Sequence, residues 1–247
     1  MRLLGVLLAL LALTGCGGSD KPALTVSAAS SLKQAFTAYG DTFGDADARF
    51  SFAGSDELAA QIEQGVKPDV YAAANTTLPD QLYAKGVVEK PRVFAGNRLV
   101  LAVPASGAKV ASLKDLESKG VKLAIGAEDV PVGSYTRTVL DRLPAAERRA
   151  ILANVRSEEP DVAGIVGKLS AGAVDAGFVY ISDVRGADGS LKAIELPAGL
   201  QPAVAYDVAV VKGAKHPDQA KAFVDGLLAG AGARALKAAG FEPPPAQ

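Results

Sequence analysis

The sequence predicts an α/β protein with mostly parallel β-sheets, on the basis of three observations. Apolar runs of about five residues alternate with helical patterns of about ten residues, as is typical of strands that lie parallel. Glycine, proline or serine separates most of these runs, as expected of short connections. Apolar residues make up 49% of the 247 residues but aromatic residues only 6%, so we expect a core of small aliphatic side chains.

The first part of the chain places strands and helices in strict alternation. Alternating apolar residues predict the first strand, and the spacing of Leu32, Ala35 and Phe36 predicts the helix that follows it. Ser31 and Ser55 are good helix N-caps. The predicted strands are 24–29, 49–53, 70–74 and 99–103, and the predicted helices are 31–39, 55–64 and 78–85.

The second part continues the alternation. Pro131 and Pro160 each favour the first position of a helix, and Gly172 and Gly240 are typical residues just after a helix end. The predicted strands are 122–126, one that ends at Val155, 176–181 and 206–211, and the predicted helices are 113–119, 131–143, 160–172, 217–228 and 233–239.

The N-terminus has the features of an export signal. A basic start and an apolar run over 3–13 precede Leu-Thr-Gly-Cys16, which resembles the lipobox of bacterial lipoproteins. The run is shorter than the roughly twenty residues that a membrane-spanning helix needs. We expect residues 1–16 to be a lipoprotein signal peptide, Cys16 to carry a lipid anchor, residues 17–23 to form a tether, and the protein to lie outside the cytoplasmic membrane.

The composition disfavours several classes of function. The chain has 26 basic and 27 acidic residues without a block of like charge, so we expect no nucleic-acid surface and no polybasic membrane patch. One cysteine cannot form an internal disulfide. The single histidine, His216, argues against a histidine metal site and against a Ser-His relay.

Four junctions between a predicted strand and a predicted helix point to a binding site, at Ser31, Ser55, Val132 and Val162. The first N–H groups of a helix have no partner within the helix and favour anions. In open α/β sheets these helix starts gather at the carboxyl edge of the strands. No lysine or arginine lies within the four turns. The residues therefore indicate a small anion bound by neutral donors, although each junction taken alone is consistent with an ordinary helix cap.

Motifs over nearly the whole mature chain resemble those of the periplasmic molybdate-binding proteins of ABC importers. They are Ala28-Ala29-Ser30-Ser31-Leu32, Phe52-Ala53-Gly54-Ser55, Lys67-Pro68-Asp69-Val70, Gly96-Asn97-Arg98-Leu99-Val100, the turn 130–135, Asp161-Val162 and the run 177–183. The resemblance implies the two-lobed periplasmic-binding-protein fold of type II, with two mixed, mostly parallel sheets joined by two crossover strands. It implies that 24–101 and 206–247 form lobe 1, that 102–205 form lobe 2, and that 99–103 and 206–211 are candidate hinge strands.

The same resemblance implies an anion in the cleft between the lobes. Ser31 and Ser55 would bind its oxygens through hydroxyl and backbone N–H groups, Val132 and Val162 through backbone N–H groups alone, and Tyr180 through its phenol. Molybdenum would be present only as bound molybdate, and no cofactor is expected.

The implied function is that of the lipid-anchored solute-binding component of a molybdate, and also tungstate, ABC importer. Its partners would be the oxyanion, the ABC permease with its ATPase, and the membrane through Cys16, and we expect a monomer that is not an enzyme. A binder of another tetrahedral anion such as sulfate is the alternative. A hydrolase using Ser31 or Ser55 would need a nearby base and has no Gly-x-Ser-x-Gly motif. A purely structural lipoprotein would not need a cleft of free amides.

Overall fold

The computed structural model describes residues 21–245, which contain ten strands and nine helices. The strands are β1 (Ala23–Ala29), β2 (Asp47–Ala53), β3 (Val70–Ala73), β4 (Arg92–Asn97), β5 (Leu99–Pro104), β6 (Leu123–Gly126), β7 (Val155–Glu159), β8 (Ala176–Tyr180), β9 (Leu191–Glu195) and β10 (Val204–Val210). The helices are α1 (Lys33–Gly40), α2 (Ser55–Glu63), α3 (Thr77–Ala84), α4 (Pro131–Asp141), α5 (Ala145–Leu152), α6 (Val162–Ser170), α7 (Ile181–Gly186), α8 (Pro217–Leu228) and α9 (Ala231–Ala238). Short 3-10 turns occupy Ser30–Leu32, Leu113–Glu117 and Ala198–Leu200.

The strands form two five-stranded sheets of the same design. The first has the order β2-β1-β3-β10-β4 and the second the order β7-β6-β8-β5-β9. In the first sheet only β10 runs against the others, and in the second only β5 does. The prediction of two mixed, mostly parallel sheets is therefore confirmed.

The chain crosses between the sheets twice. Arg98 alone separates β4 of the first sheet from β5 of the second, and residues 196–203 lead back from β9 to β10. The predicted lobe boundary after residue 101 divides β5, but Leu99 already pairs with Tyr180 and Val100 with Glu195. The first crossing is therefore at Arg98, because β5 pairs within the second sheet from its first residue. Motion about β5 and β10 stays a prediction.

The strands that the sequence did not predict correctly are all at sheet edges. β4 and β9 were not predicted, and β7 begins at Val155, where a strand end was predicted. In β7, exposed and partly buried side chains alternate up to Glu159, so the strand lacks the continuous apolar run of a central strand. The helix α5 was also missed, because Ile151 is its only buried residue and its sequence shows no apolar stripe. The short α7 was missed as well.

The two parts of the molecule built around the first and the second sheet are called its first and second halves. The few aromatic residues are concentrated in the core of the first half. The ring of Phe223 on α8 lies 5.6 Å from that of Phe36 and 4.6 Å from that of Tyr39, both on α1. Phe43 and Phe50 pack against the same ring at 5.4 and 6.2 Å. Aromatic contacts of this kind stabilise a packing arrangement beyond the area they bury. They hold α1, and with it the turn that carries Ser31, against the first sheet.

The predictions for the N-terminus fall mostly outside the described residues. Cys16, the signal peptide and the first part of the tether are not among them. The first strand starts at Ala23, one residue earlier than predicted, and the carbonyl of Pro22 already accepts a hydrogen bond from Asp47 N. No helix within residues 21–245 is long and apolar enough to span a membrane.

Candidate functional site

A small cavity lies where the carboxyl ends of strands from both sheets face each other. All five residues that the sequence singled out line it, namely Ser31, Ser55, Val132, Val162 and Tyr180. The other lining residues are Ala29, Ser30, Ala53, Gly54, Ala74, Val130, Pro131 and Asp161. The cavity volume is about 20 Å³, measured as the space open to the centre of a water molecule. One water needs about 10–15 Å³ by this measure, so in this arrangement the cavity has room for only a very small solute.

Ser31 reaches the cavity from the connection between β1 and α1. The predicted N-cap is wrong here, because residues Ser30–Leu32 form a 3-10 turn that begins after Ala29, and no side chain caps it. The Ser31 hydroxyl instead lies 2.9 Å from the hydroxyl of Tyr206 on β10. With 7% of its surface exposed, Ser31 is buried at the wall of the cavity.

Ser55 is the first residue of α2, and its predicted role as an N-cap is also wrong. Gly54 occupies the N-cap position, and no side chain accepts a hydrogen bond there. The Ser55 hydroxyl accepts a hydrogen bond from the backbone N–H of Ala74 at 3.1 Å. Because an N–H can only donate, this contact uses a lone pair of the hydroxyl and leaves its proton for the cavity.

Val132 and Val162 stand at the starts of α4 and α6, where they offer backbone N–H groups. Pro131 is the first residue of α4, as the sequence predicts. The helix α6 begins at Val162 rather than at Pro160, because Asp161 is extended and its carboxylate caps the helix by accepting from Gly164 N at 2.9 Å. The amides of the first turn have no acceptor within the helix. Both helix starts therefore direct donors and the positive end of a dipole to one side of the cavity.

Tyr180, the last residue of β8, has a hydroxyl without a partner. Only 1% of the residue is exposed, and its phenol oxygen makes no hydrogen bond with any described residue. Burial raises the pKa of this phenol well above 10, so it keeps its proton at neutral pH. A buried hydroxyl without a partner costs about 1–3 kcal/mol. Its position on the cavity wall indicates that a bound group accepts from it.

Asp161 also lines the cavity, while no lysine or arginine among the described residues does. The sequence placed Asp161 in a motif but assigned it no role, and one oxygen of its carboxylate accepts from Gly164 N. Nearby, Asp183 accepts from the backbone N–H of Tyr180 at 2.9 Å, and burial raises the pKa of Asp183 to about 7. An anion at this site is therefore held by dipoles and neutral donors in the presence of two carboxyl groups.

The two halves of the molecule touch beside the cavity at Gly54. A Cβ atom added there would lie 2.6 Å from the carbonyl oxygen of Pro160 in the other half and 2.8 Å from a carboxylate oxygen of Asp56. Cβ atoms are not found at such distances, so only glycine permits this approach. The run Phe52-Ala53-Gly54-Ser55 was singled out from the sequence, but nothing local to it signals a contact with residue 160.

No group of three or more histidine, cysteine, aspartate or glutamate side chains in the described part of the chain could hold a metal ion. The sole histidine, His216, does not line the cavity. Its backbone N–H donates to Asp69 at 2.8 Å at the start of α8.

The chain is similar to several bacterial proteins over nearly its whole length. A family model described as bacterial extracellular solute-binding protein matches residues 24–242. The molybdate-binding protein ModA of Mycobacterium tuberculosis is 34% identical over 227 residues, which cover 90% of this chain and 85% of that protein.

Solved structures agree with this similarity. The substrate binding domain of a putative molybdenum ABC transporter from Clostridium difficile has a TM-score of 0.68 at 27% identity, with 90% of this chain and 99% of that one covered. The periplasmic molybdate-binding protein of Azotobacter vinelandii has a TM-score of 0.80 at 20% identity and covers 90% of this chain and 100% of its own, which shows the shared fold. The resemblance predicted from the sequence is thus confirmed.

Proposed function

Because the chain belongs to the bacterial extracellular solute-binding proteins, we propose that it captures molybdate in the cavity between its two halves and delivers it to an ABC permease. Relatives and solved structures named for molybdate or molybdenum support this choice of anion. Ser31 and Ser55 bind the anion through hydroxyl and backbone donors, Val132 and Val162 through backbone donors, and Tyr180 through its phenol.

The observation that carries the proposal is the buried Tyr180 hydroxyl that lacks a partner. Tyr180 lines a small cavity, and residues from both sheets surround that cavity with hydrogen-bond donors. A tetrahedral oxyanion has acceptor oxygens in four directions, so it can serve donors on both sides at once. The anion stabilises the closed arrangement because it contacts both halves only there.

The donor chemistry also ranks the possible anions. Molybdate and tungstate are nearly alike in size and charge, and both carry only acceptors at neutral pH. Hydrogen phosphate brings an O–H group that needs an acceptor, and an unpaired buried polar group costs about 1–3 kcal/mol. Sulfate has only acceptors but is smaller, which lengthens its contacts in a rigid cavity. We expect molybdate and tungstate to bind about equally, followed by sulfate and then phosphate.

Titration calorimetry of the mature protein at pH 7 with these four anions tests the proposal. Tyr180→Phe should weaken molybdate binding about tenfold, the worth of one hydrogen bond to a charged group. The same substitution should not lower the unfolding midpoint of the ligand-free protein, because it removes a hydroxyl that has no partner there. Sulfate binding most tightly would reassign the ligand. Phosphate binding as tightly as molybdate would contradict the donor site and assign Asp161 as the acceptor of its proton.

The membrane anchor belongs to the same proposal. The sequence before Cys16 supports lipid attachment at that residue and a location outside the cytoplasmic membrane. Mass spectrometry of the protein from a bacterial host should find acyl chains on Cys16, and Cys16→Ser should abolish them. We further propose that the protein acts as a monomer. We also propose that it has no catalytic activity, because each serine hydroxyl is bonded to a tyrosine or a backbone amide rather than to a base.

A further inference from the structure

A buried chain of hydrogen bonds lies behind Ser31 and connects the two halves of the molecule. We call Ser31, Tyr206, Asn97 and Ser182 the Tyr206 network. The hydroxyls of Ser31 and Tyr206 lie 2.9 Å apart, and Asn97 Nδ2 lies 3.4 Å from the Tyr206 hydroxyl and 2.9 Å from the Ser182 hydroxyl. All four residues are buried, and neither Tyr206 nor Asn97 lines the cavity.

The orientation of the Asn97 amide is determined by the backbone beside it. Its Oδ1 accepts a hydrogen bond from the N–H of Arg98 at 2.9 Å. An N–H can only donate, so the amide oxygen must face Arg98 and the Nδ2 group must face the network. The two hydrogens on Nδ2 then serve two acceptors, the hydroxyls of Ser182 and Tyr206.

Counting donors then determines the direction of the bond between Tyr206 and Ser31. The Tyr206 hydroxyl accepts from Asn97, and among residues 21–245 the Ser31 hydroxyl is the one acceptor in hydrogen-bonding geometry with its proton. The Tyr180 phenol is the other group close by, with ring centroids 5.8 Å apart, and Tyr206 adds to burial in raising the pKa of Tyr180. The two hydroxyls do not meet hydrogen-bond distance and angle, so Ser31 is the better acceptor. If Ser31 donated instead, the buried Tyr206 proton would be left without a partner, which is unfavourable for a buried polar group.

We propose that Tyr206, oriented by Asn97, is a positioning residue that commits the Ser31 hydroxyl to donate into the anion cavity. Ser31 accepts from Tyr206, so its proton is free for the ligand. Ser55 is committed in the same way by the N–H of Ala74. The inference rests on the proposed function and adds the reason why the site selects an anion without a proton: each hydroxyl already accepts from the protein and donates its one proton to the anion, and turning toward a ligand O–H would withdraw that donation.

The effect of Tyr206→Phe on anion binding tests this role. The variant keeps the ring and removes the hydroxyl, so Ser31 can turn. Molybdate affinity should fall about two- to tenfold, as for loss of one hydrogen bond, and phosphate affinity should stay the same or rise, so that the ratio of the two affinities narrows. Tyr39→Phe is the matched control, because Tyr39 is a buried tyrosine whose hydroxyl donates to the carbonyl of Phe223, away from the cavity. It should change neither affinity.

A double-mutant cycle separates positioning from a general structural effect. In a Ser31→Ala background, Tyr206→Phe should cause no further loss of molybdate affinity, because there is no hydroxyl left to orient. Asn97→Ala, which keeps the Tyr206 hydroxyl, should weaken molybdate binding in the same direction and should likewise lose its effect in the Ser31→Ala background. This second variant decides the question if Tyr206→Phe folds poorly.

The outcomes separate this inference from the proposed function. If the wild-type protein binds molybdate but Tyr206→Phe behaves like Tyr39→Phe, the positioning role is wrong and the binding function stands. The positioning role is also wrong if Tyr206→Phe lowers molybdate affinity by the same factor in the Ser31→Ala background as in the wild type. Wild-type protein that binds none of the four anions overturns the proposed function and the inference together.

Discussion

The two halves of the cavity supply donors of different kinds. The first half contributes two serine hydroxyls, each held by a hydrogen bond from a distant part of that half. The second half contributes the backbone amides at Val132 and Val162, and the phenol of Tyr180, which has no hydrogen-bond partner among residues 21–245. A side-chain donor is lost when its residue is replaced, whereas a backbone donor survives any replacement except proline. The two halves should therefore respond to mutation in different ways.

Ser55→Ala should have the largest effect, because it removes a donor to the anion and leaves the N–H of Ala74 without its acceptor. A hydrogen bond to a charged group is worth about 1.5–3 kcal/mol, so molybdate affinity should fall about tenfold to a hundredfold. His216→Ala is the control and should have little effect, since only its backbone N–H is bonded to Asp69. Equal losses in the two variants, measured by calorimetry, would contradict the site assignment.

Val162→Pro should be the exception to the rule that the backbone donors of the second half tolerate substitution. Val162 is the first residue of α6 and follows an extended Asp161, a setting in which proline is compatible with the helix. The variant removes the amide donor, so molybdate affinity should fall about tenfold. Val162→Ala keeps that amide and should leave the affinity within about twofold of wild type, because no hydrogen bond is lost. A loss in Val162→Ala as large as in Val162→Pro would show that the side chain, not the amide, binds.

Gly54→Ala should weaken binding without removing any donor. Its Cβ would press on the carbonyl of Pro160 only when the halves are closed, and overpacking costs about 1–3 kcal/mol, so affinity should fall about tenfold. Gly167→Ala is the matched control, because a Cβ at Gly167 meets nothing within 4 Å. Small-angle scattering should show that Gly54→Ala remains more open than wild type at saturating molybdate. A fully closed complex with unchanged affinity would refute the contact.

Molybdate affinity should also depend on pH, through a carboxyl group in the second half, although this effect should be smaller. Burial raises the pKa of Asp183, beside Tyr180, from 3.8 to about 7. Above that pH its negative charge opposes the anion, so molybdate affinity should fall severalfold between pH 6 and pH 8. Asp183→Asn should flatten the profile. Asp207→Asn should not, although burial raises the pKa of Asp207 to about 7 as well. The reason is that its carboxylate accepts from the N–H of Val208, which is outside the cavity wall, whereas Asp183 accepts from the N–H of the lining residue Tyr180.

The carboxyl groups of Asp183 and Asp207 also set the direction in which the stability of the ligand-free protein changes with pH. Since the folded state holds their protons more tightly than the unfolded state, the stability of the ligand-free protein should fall as pH rises from about 4 to about 7. Thermal unfolding at several pH values measures this slope. If the unfolding midpoint rises over this pH interval in the wild type but not in the Asp183→Asn and Asp207→Asn variants, the pKa values of these two groups are not raised in the folded protein.

The sequence by itself was sufficient to predict five residues that line the cavity. A strand that runs into a helix is a local pattern, and Ser31, Ser55, Val132 and Val162 each stand at such a junction. Tyr180 is different, because a tyrosine at a strand end is most often a core residue and only its motif marked it. The central strands were also predicted, since their apolar runs are continuous, whereas the edge strands β4, β7 and β9 carry mixed patterns that resemble loops.

Only the tertiary structure decided how the donors are used. Both serines looked like helix caps, yet their hydroxyls bond to Tyr206 and Ala74, and the first of these partners is 175 residues away along the chain. The approach of Gly54 to Pro160 likewise joins residues from different sheets. A local pattern records which groups a residue can offer to its neighbours in sequence. The direction in which a hydroxyl donates depends on partners that only the packing of the whole chain brings within about 3 Å of it.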